Sequence, residues 1–218
     1  MNVSLTHESP WAARSENAGT RQRKTEKILD AALQAFLEAG YGAVSMDVIA
    51  ARAGVSKATV YTRFPSKQAL FAAVITRECE ACTQRMTLAE TAPAPDLASA
   101  LHRIAETLLD IITLPQNLAI QRLVIAEGPR FPELGTMFYE YGPAVTLRNL
   151  AAFLQRERTR GELQILDATA AAQQFISLLR GDIQIRALLG AGDLSKTARK
   201  RVADHAVKAF LQLYADAR

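Results

Sequence analysis

Ser45-Met46-Asp47-Val48-Ile49-Ala50-Ala51-Arg52-Ala53-Gly54-Val55-Ser56-Lys57-Ala58-Thr59-Val60-Tyr61-Thr62-Arg63-Phe64-Pro65-Ser66-Lys67 is the stretch on which the fold turns. Ser45 is a good N-cap, and Asp47 sits in the positive first turn of the helix that follows. Met46, Ile49, Ala50 and Ala53 recur at i, i+3, i+4 and i+7, so one face of that helix is apolar. Gly54 ends it after about two turns and supplies the residue that tolerates a positive φ. Val55-Ser56 starts the next helix, with Ser56 as N-cap and Val55 and Val60 in the N′ and N4 places of a hydrophobic staple. Val60 and Phe64 share its inner face. Pro65 stops it, and Ser66 caps a third helix.

Upstream, the pattern turns helical at Thr20. Leu29, Leu33 and Phe36 recur at i, i+4 and i+7, Lys27, Asp30, Gln34 and Glu38 line the opposite face, and Gly40 gives the stop. Residues 1–19 are polar, without a period, and read as a mobile arm. Downstream, Pro- and Gly-rich breaks delimit helices near 67–90, 97–113, 116–127, 133–159, 168–189 and 195–216. Gly142-Pro143 should kink the fourth of these six. No strand alternation and no repeat stands out. The reading is all-α: an arm over 1–19, a helix-turn-helix unit over 20–66, and a helical body over 67–218.

Composition excludes other classes. The 218 residues are 49% hydrophobic and 22% charged, a balance that suits a packed globular chain rather than a disordered one. No apolar run is long enough to span a membrane, and Met1 to Thr20 has no apolar signal core. Two cysteines cannot make a disulfide framework and fit a reducing cytosol, so a cytoplasmic location is expected. The net charge of +4 is modest but uneven. Residues 1–19 carry −1 and residues 68–218 carry +1, while residues 20–67 carry +4 through Arg21, Arg23, Lys24, Lys27, Arg52, Lys57, Arg63 and Lys67.

Two short helices around a tight glycine turn, with the positive excess on them, suggest double-stranded DNA as partner. The second short helix would then enter the major groove. With Val60 and Phe64 inward, Ala58, Thr59 and Thr62 lie opposite and Tyr61 on one shoulder. Thr hydroxyls can bond base edges, and Ala58 or the Thr methyls can touch thymine methyls. Lys57, Tyr61, Arg63 and Lys67 could reach phosphates, as could the amide ends of the helices beginning at Met46 and Lys67. The same spacing also fits a three-helix packing unit whose basic face is merely solvated.

The run from Ser45 to Phe71, with Ile28-Leu29-Asp30-Ala31-Ala32 and Phe36…Gly40-Tyr41 before it, closely resembles the DNA-binding signature of TetR-family transcriptional regulators. The resemblance covers residues 21–71. It implies a homodimer that binds a palindromic operator, most often as a repressor, and a helical C-terminal domain that dimerises and binds a small effector. The family's DNA contacts map onto Ser45, Lys57, Ala58, Thr59, Tyr61, Arg63 and Lys67. The chain departs from the family at Thr62-Arg63, where many members carry an aromatic or basic residue followed by His. Gln121 to Leu134, with Phe138-Tyr139 and Gly142-Pro143, is similar to the C-terminal domain of the AefR-like subgroup.

Candidate pocket-lining residues between the middle helices are Met86, Leu101, His102, Ile112, Arg122, Phe138, Tyr141 and Phe153. Ordinary core packing is the competing reading of each. The mostly apolar set suggests a lipophilic or aromatic effector. The last two helices carry apolar residues on more than one face. Phe175, Leu178, Leu179 and Ile183 on one, and Val202, Ala206, Phe210 and Leu213 on the other, would pair with a two-fold copy into a four-helix bundle. A large monomeric core is the alternative. Cys79-Glu80-Ala81-Cys82 lies in mid-helix, away from the helix N-terminus where a redox pair normally sits, and reads as structural, with a thiol switch as the alternative. No metal or cofactor is expected, because the three His lie at no ligand spacing. No nucleophile elbow, zinc-hydrolase, phosphate-loop or dinucleotide motif suggests an enzyme. A small-molecule-binding protein or enzyme whose N-terminal helices only pack, or a helical interaction module, remain the rival classes.

Overall fold

The computed structural model describes residues 12–192 and 194–215, with side chains from residue 19 onward. Ten α-helices account for almost all of them: α1 (Ala12–Ala39), α2 (Met46–Ala53), α3 (Lys57–Arg63), α4 (Lys67–Thr91), α5 (Leu97–Thr113), α6 (Pro115–Glu127), α7 (Pro132–Tyr141), α8 (Pro143–Thr159), α9 (Ala168–Leu189) and α10 (Lys196–Tyr214). The all-α reading holds. The sole β-type pairing among the described residues is an isolated bridge between Leu163 and Ala215. No single helix there is long and apolar enough to cross a membrane.

The chain divides into two compact units, residues 1–74 and 75–218. In the first, Ile28, Leu29, Ala32, Leu33 and Phe36 of α1 pack with Ile49, Val60, Leu70 and Phe71. Phe36, Tyr41 and Phe71 form an aromatic triad with ring centroids 5.3–5.7 Å apart. The capping chemistry is as the sequence dictates. Ser45 Oγ accepts from the Val48 amide at 3.3 Å, Ser56 Oγ from Thr59 at 3.1 Å, and Ser66 Oγ from Ala69 at 3.1 Å. Gly54 takes φ 65° and ψ 36°, and the Val55 amide reaches back to the Ala50 carbonyl at 3.1 Å, closing a Schellman-type end.

Three boundaries differ from the sequence reading. α1 begins at Ala12, so residues 12–19 of the expected arm have helical backbone, while the rest of the arm lies outside the described residues. A polar, Ala- and Glu-containing segment gives no apolar period, yet it can extend an established helix at little cost. The first unit also takes in the opening turns of α4, because Leu70, Phe71 and Val74 are buried; the expected boundary lay before Lys67. The expected helix over 133–159 is two helices. Gly142, at φ −117° and ψ −86°, separates α7 from α8, and Pro143 opens α8. A Cβ on Gly142 would lie 3.0 Å from Cys79 Sγ and 3.3 Å from the Phe138 carbonyl oxygen, so a larger residue there would press on α4.

The second unit is built around α5. Leu101, Ile104, Ala105 and Leu109 are fully buried against α8, α9 and α10, with Leu150, Leu154, Phe175 and Phe210. Phe175 and Phe210 meet edge to face at 5.0 Å. This corrects part of the expected dimer face. Phe175, Leu179, Ile183, Ala206 and Phe210 serve the unit's own core, because their rows on α9 and α10 face α5. Leu178 and Leu213 are exposed, and Val202 is half-buried. α9 breaks at Gly181 (φ 28°, ψ −137°), which periodicity did not signal.

Candidate nucleic-acid interface and cavity

α3 exposes the face that the sequence singled out. Lys57, Ala58, Tyr61 and Thr62 are exposed, Thr59 is half-buried, and Val60 is fully buried. Ser45 is exposed at the start of α2. Lys57 Nζ pairs with Asp47 at 2.9 Å and lies 5.9 Å from the Tyr61 ring centroid, and the Asp47 hydrogen bond holds its pKa above the ordinary lysine value. The Thr59 hydroxyl shares a 2.8 Å hydrogen bond with Ser56 Oγ, and the Thr62 hydroxyl donates to the Ala58 carbonyl at 2.7 Å. Each hydroxyl oxygen keeps accepting capacity toward a base donor. With Ala58 between them, the helix backbone is accessible.

Two expected phosphate ligands are engaged within the unit. Arg63 turns back on α1, donating from Nε to Thr25 Oγ1 at 3.0 Å and from its terminal nitrogen to the Arg21 carbonyl at 3.2 Å. Lys67 Nζ donates to the carbonyls of Tyr41, Val44 and Gly42 at 2.8, 2.9 and 3.3 Å and sits 4.5 Å from the Tyr41 ring centroid. It ties down the loop between α1 and α2, so its charge is spent there. The exposed cations that the site reading did not assign are Arg21, Arg23, Lys24 and Lys27 of α1 and Arg52 of α2, the last paired with Glu38 at 2.6 Å. Their signal was the charge excess over residues 20–67, which counted them without assigning them.

In the second unit, α4–α9 surround a cleft of about 750 Å³, counting its open mouth. Ile75, Leu108, Ile111, Ile120, Phe138 and Ile176 give it an apolar wall; Glu78, Thr83, Asn117, Gln121, Thr146, Arg180 and Gln184 add polar points. Of the eight expected lining residues, Ile112 and Phe138 lie on it. Met86, Leu101 and Phe153 are core. His102 is at the surface, its Nδ1 3.4 Å from Asp204. Arg122 donates to the Ala187 and Leu188 carbonyls at 2.7 Å each and so caps the end of α9. Tyr141 is exposed. Cys79 and Cys82 are free thiols on the cleft wall. Burial pushes the Cys79 thiol up to about 12, far from a reactive thiolate. Among the described residues no group of His, Cys, Asp and Glu could hold a metal ion.

A glycine-turned pair of short helices on a third, presenting small and hydroxyl side chains beside exposed cations, defines a helix-turn-helix DNA-binding regulator. The comparisons with known proteins give the particular family. Residues 28–74 match the model of bacterial regulatory proteins of the tetR family, and residues 99–216 match the AefR-like transcriptional repressor C-terminal domain. The chain belongs to the TetR family. A solved structure described as the flavonoid-responsive regulator FrrA is 39% identical, with TM-score 0.79 over 90% of this chain and 100% of that one. A TetR-family regulator from Mesorhizobium loti MAFF303099 is 32% identical, with TM-score 0.79 over 90% of this chain and 98% of that one. The regulator SrpR of Pseudomonas putida is 26% identical over 91% of this chain and 88% of its own. These relatives are transcriptional regulators, and the chain is a regulator rather than an enzyme.

Proposed function

We propose that the chain is a homodimeric repressor that holds a palindromic operator and releases it when a small lipophilic or aromatic effector enters the cleft. The observation that carries this reading is the course of α4. It begins at Lys67, beside the helix-turn-helix, and supplies Ile75, Glu78, Cys79, Cys82 and Thr83 to the cleft wall. A ligand that displaces α4 therefore acts on the helix that follows the recognition helix. In a dimer, two recognition helices must stand about 34–36 Å apart to read successive major grooves. An effector that prefers another spacing by a few kcal/mol empties the operator-binding state. The apolar wall suits an aromatic body, and FrrA, described as flavonoid-responsive, supports that ligand class.

Ser45, Ala58, Thr59, Tyr61 and Thr62 are the proposed DNA-facing residues, with Lys57 and the α1 cations supplying salt-dependent affinity. The test is operator selection from a random duplex pool, followed by mobility shift with and without a flavonoid panel. Binding that weakens steeply with salt, fails in Lys57→Ala/Tyr61→Ala and is released by a panel member is expected. Absence of duplex binding at low salt overturns the regulator reading. Binding that no aromatic or lipophilic compound relieves overturns the effector reading.

A further inference from the structure

The polar groups on the cleft wall are nearly all answered by neighbours. Glu78 accepts from Arg77 at 2.8 Å and from Gln116. Gln184 donates to Gln121 at 2.9 Å. Asn117 donates to the Ile111 carbonyl at 2.7 Å and toward Cys82 Sγ at 3.4 Å. Thr146 bonds the Gly142 carbonyl. Thr83 has no such partner, but among the described lining residues Arg180 alone holds a buried side-chain polar atom without one: its Nε. Glu78 is the single carboxylate among the described lining residues, and it is already taken by Arg77. The electrostatic neighbour of Arg180 is the phenol of Tyr139 and not a carboxylate. Burial works against the guanidinium charge, lowering its pKa.

An uncompensated cation in an otherwise satisfied, apolar cleft is costly to keep. Its planar donor fork is shaped to take an acidic oxygen pair, an arrangement a lysine would not reproduce. We infer that Arg180 is the anchor for an acidic oxygen on the effector, a carboxylate or phenolate carried by an apolar, aromatic body. The inference rests on the effector reading above and narrows it. The body fills the wall formed by Ile75, Ile111, Phe138 and Ile176, and the acidic end is drawn to the α9 wall immediately before the Gly181 break.

The test uses the full chain and two matched probe pairs at about pH 8, where both acidic members are ionised: 2-naphthoate with its methyl ester, and 4-nitrophenol with its methyl ether. Calorimetric titration of the unmodified protein should show one acidic member bound about tenfold or more tightly than its methylated partner, the scale of a charge-assisted pair. The carboxylate pair and the phenol pair tell the two oxygen types apart. In Arg180→Met the acid-to-ester ratio should fall toward one, and Arg180→Gln repeats the measurement should the Met variant melt early. Equal affinity within both pairs, a preference that survives both Arg180 variants, or no binding by any of the four probes overturns the assignment. Operator release is read separately. Arg180-dependent probe preference without release would leave the anchor standing and remove the repressor reading; release by neutral probes alone would do the reverse.

Discussion

Lys67 and Lys57 show how one residue type takes two jobs ten positions apart. Lys67 satisfies three loop carbonyls, while Lys57 stays exposed with one surface ion pair. Lys67→Met should cost about 2 kcal/mol in urea unfolding, the scale of hydrogen bonds to a charged group. The slope of log affinity against log salt for operator binding should stay unchanged in that variant. Lys57→Ala should instead flatten the slope by about one unit with little loss of stability. A flattened slope in the Lys67 variant would return that side chain to the phosphate contacts. Glu90 belongs to the same scale. It is buried with one carboxylate oxygen unpartnered, and desolvation pushes its pKa from 4.5 to about 7, with Arg156 opposing. Between those two pH values the folded chain keeps a proton that the unfolded chain has released, so this group erodes stability as pH rises through the window. Glu90→Gln should therefore gain on the unmodified chain from pH 4 to pH 8, by up to about 3 kcal/mol. An equal gap at both pH values in thermal or urea melts would show that Glu90 is not desolvated in solution.

Each element of the N-terminal unit carries its own boundary chemistry, which is why it was legible. Ser45, Gly54, Ser56, Pro65 and Ser66 act within a few residues of themselves, so spacing alone defined α2, α3 and the start of α4. Gly54 tests this. A Cβ there would meet nothing within 4 Å, so the cost of Gly54→Ala is conformational alone. About 1–2 kcal/mol of lost stability is expected from forcing a non-glycine residue into the left-handed region. A neutral result in chemical denaturation would mean the turn relaxes. The cleft was far less legible. Ile112 and Phe138 were found through apolar periodicity, but periodicity cannot separate a residue facing a core from one facing a cavity. Met86, Leu101 and Phe153 were misplaced for that reason. Arg180 and Gln184 escaped because their place on the cleft depends on how α9 lies against α4–α7, a tertiary fact that no local window carries. His102 and Arg122 looked like site residues by type, yet Arg122 is consumed by the end of α9 and His102 faces Asp204 at the surface.

At the scale of the whole molecule, the question is what covers the outer side of α9 and α10. The two helices carry more apolar residues than one side can bury. The sequence could not say which row goes inward, since both rows have helical spacing. The structure buries the row of Phe175, Leu179 and Phe210 and leaves Leu178, Ile185, Leu189 and Leu213 exposed, Leu189 at 73% and Leu213 at 67%. Single exposed apolar residues are ordinary, but these four stand on two helices that pack against each other, and Leu178 and Leu213 line one surface groove, which suits an isologous contact. TetR-family regulators typically act as dimers, and a two-fold contact here would join α9 and α10 to their copies. Ile185→Glu/Leu189→Glu should then be monomeric at micromolar concentration in sedimentation velocity, while the unmodified chain is dimeric. The charges replace exposed side chains, so the monomer's own melt should change by about 0.5 kcal/mol or less per site. Affinity for a full palindromic operator should fall by ~10²–10⁴-fold, because the second half-site is no longer bound as an intramolecular event. Affinity for an isolated half-site should barely move. A double variant that still sediments as a dimer would place the interface on another face, and an unmodified chain that sediments as a monomer would remove the two-half-site mechanism altogether.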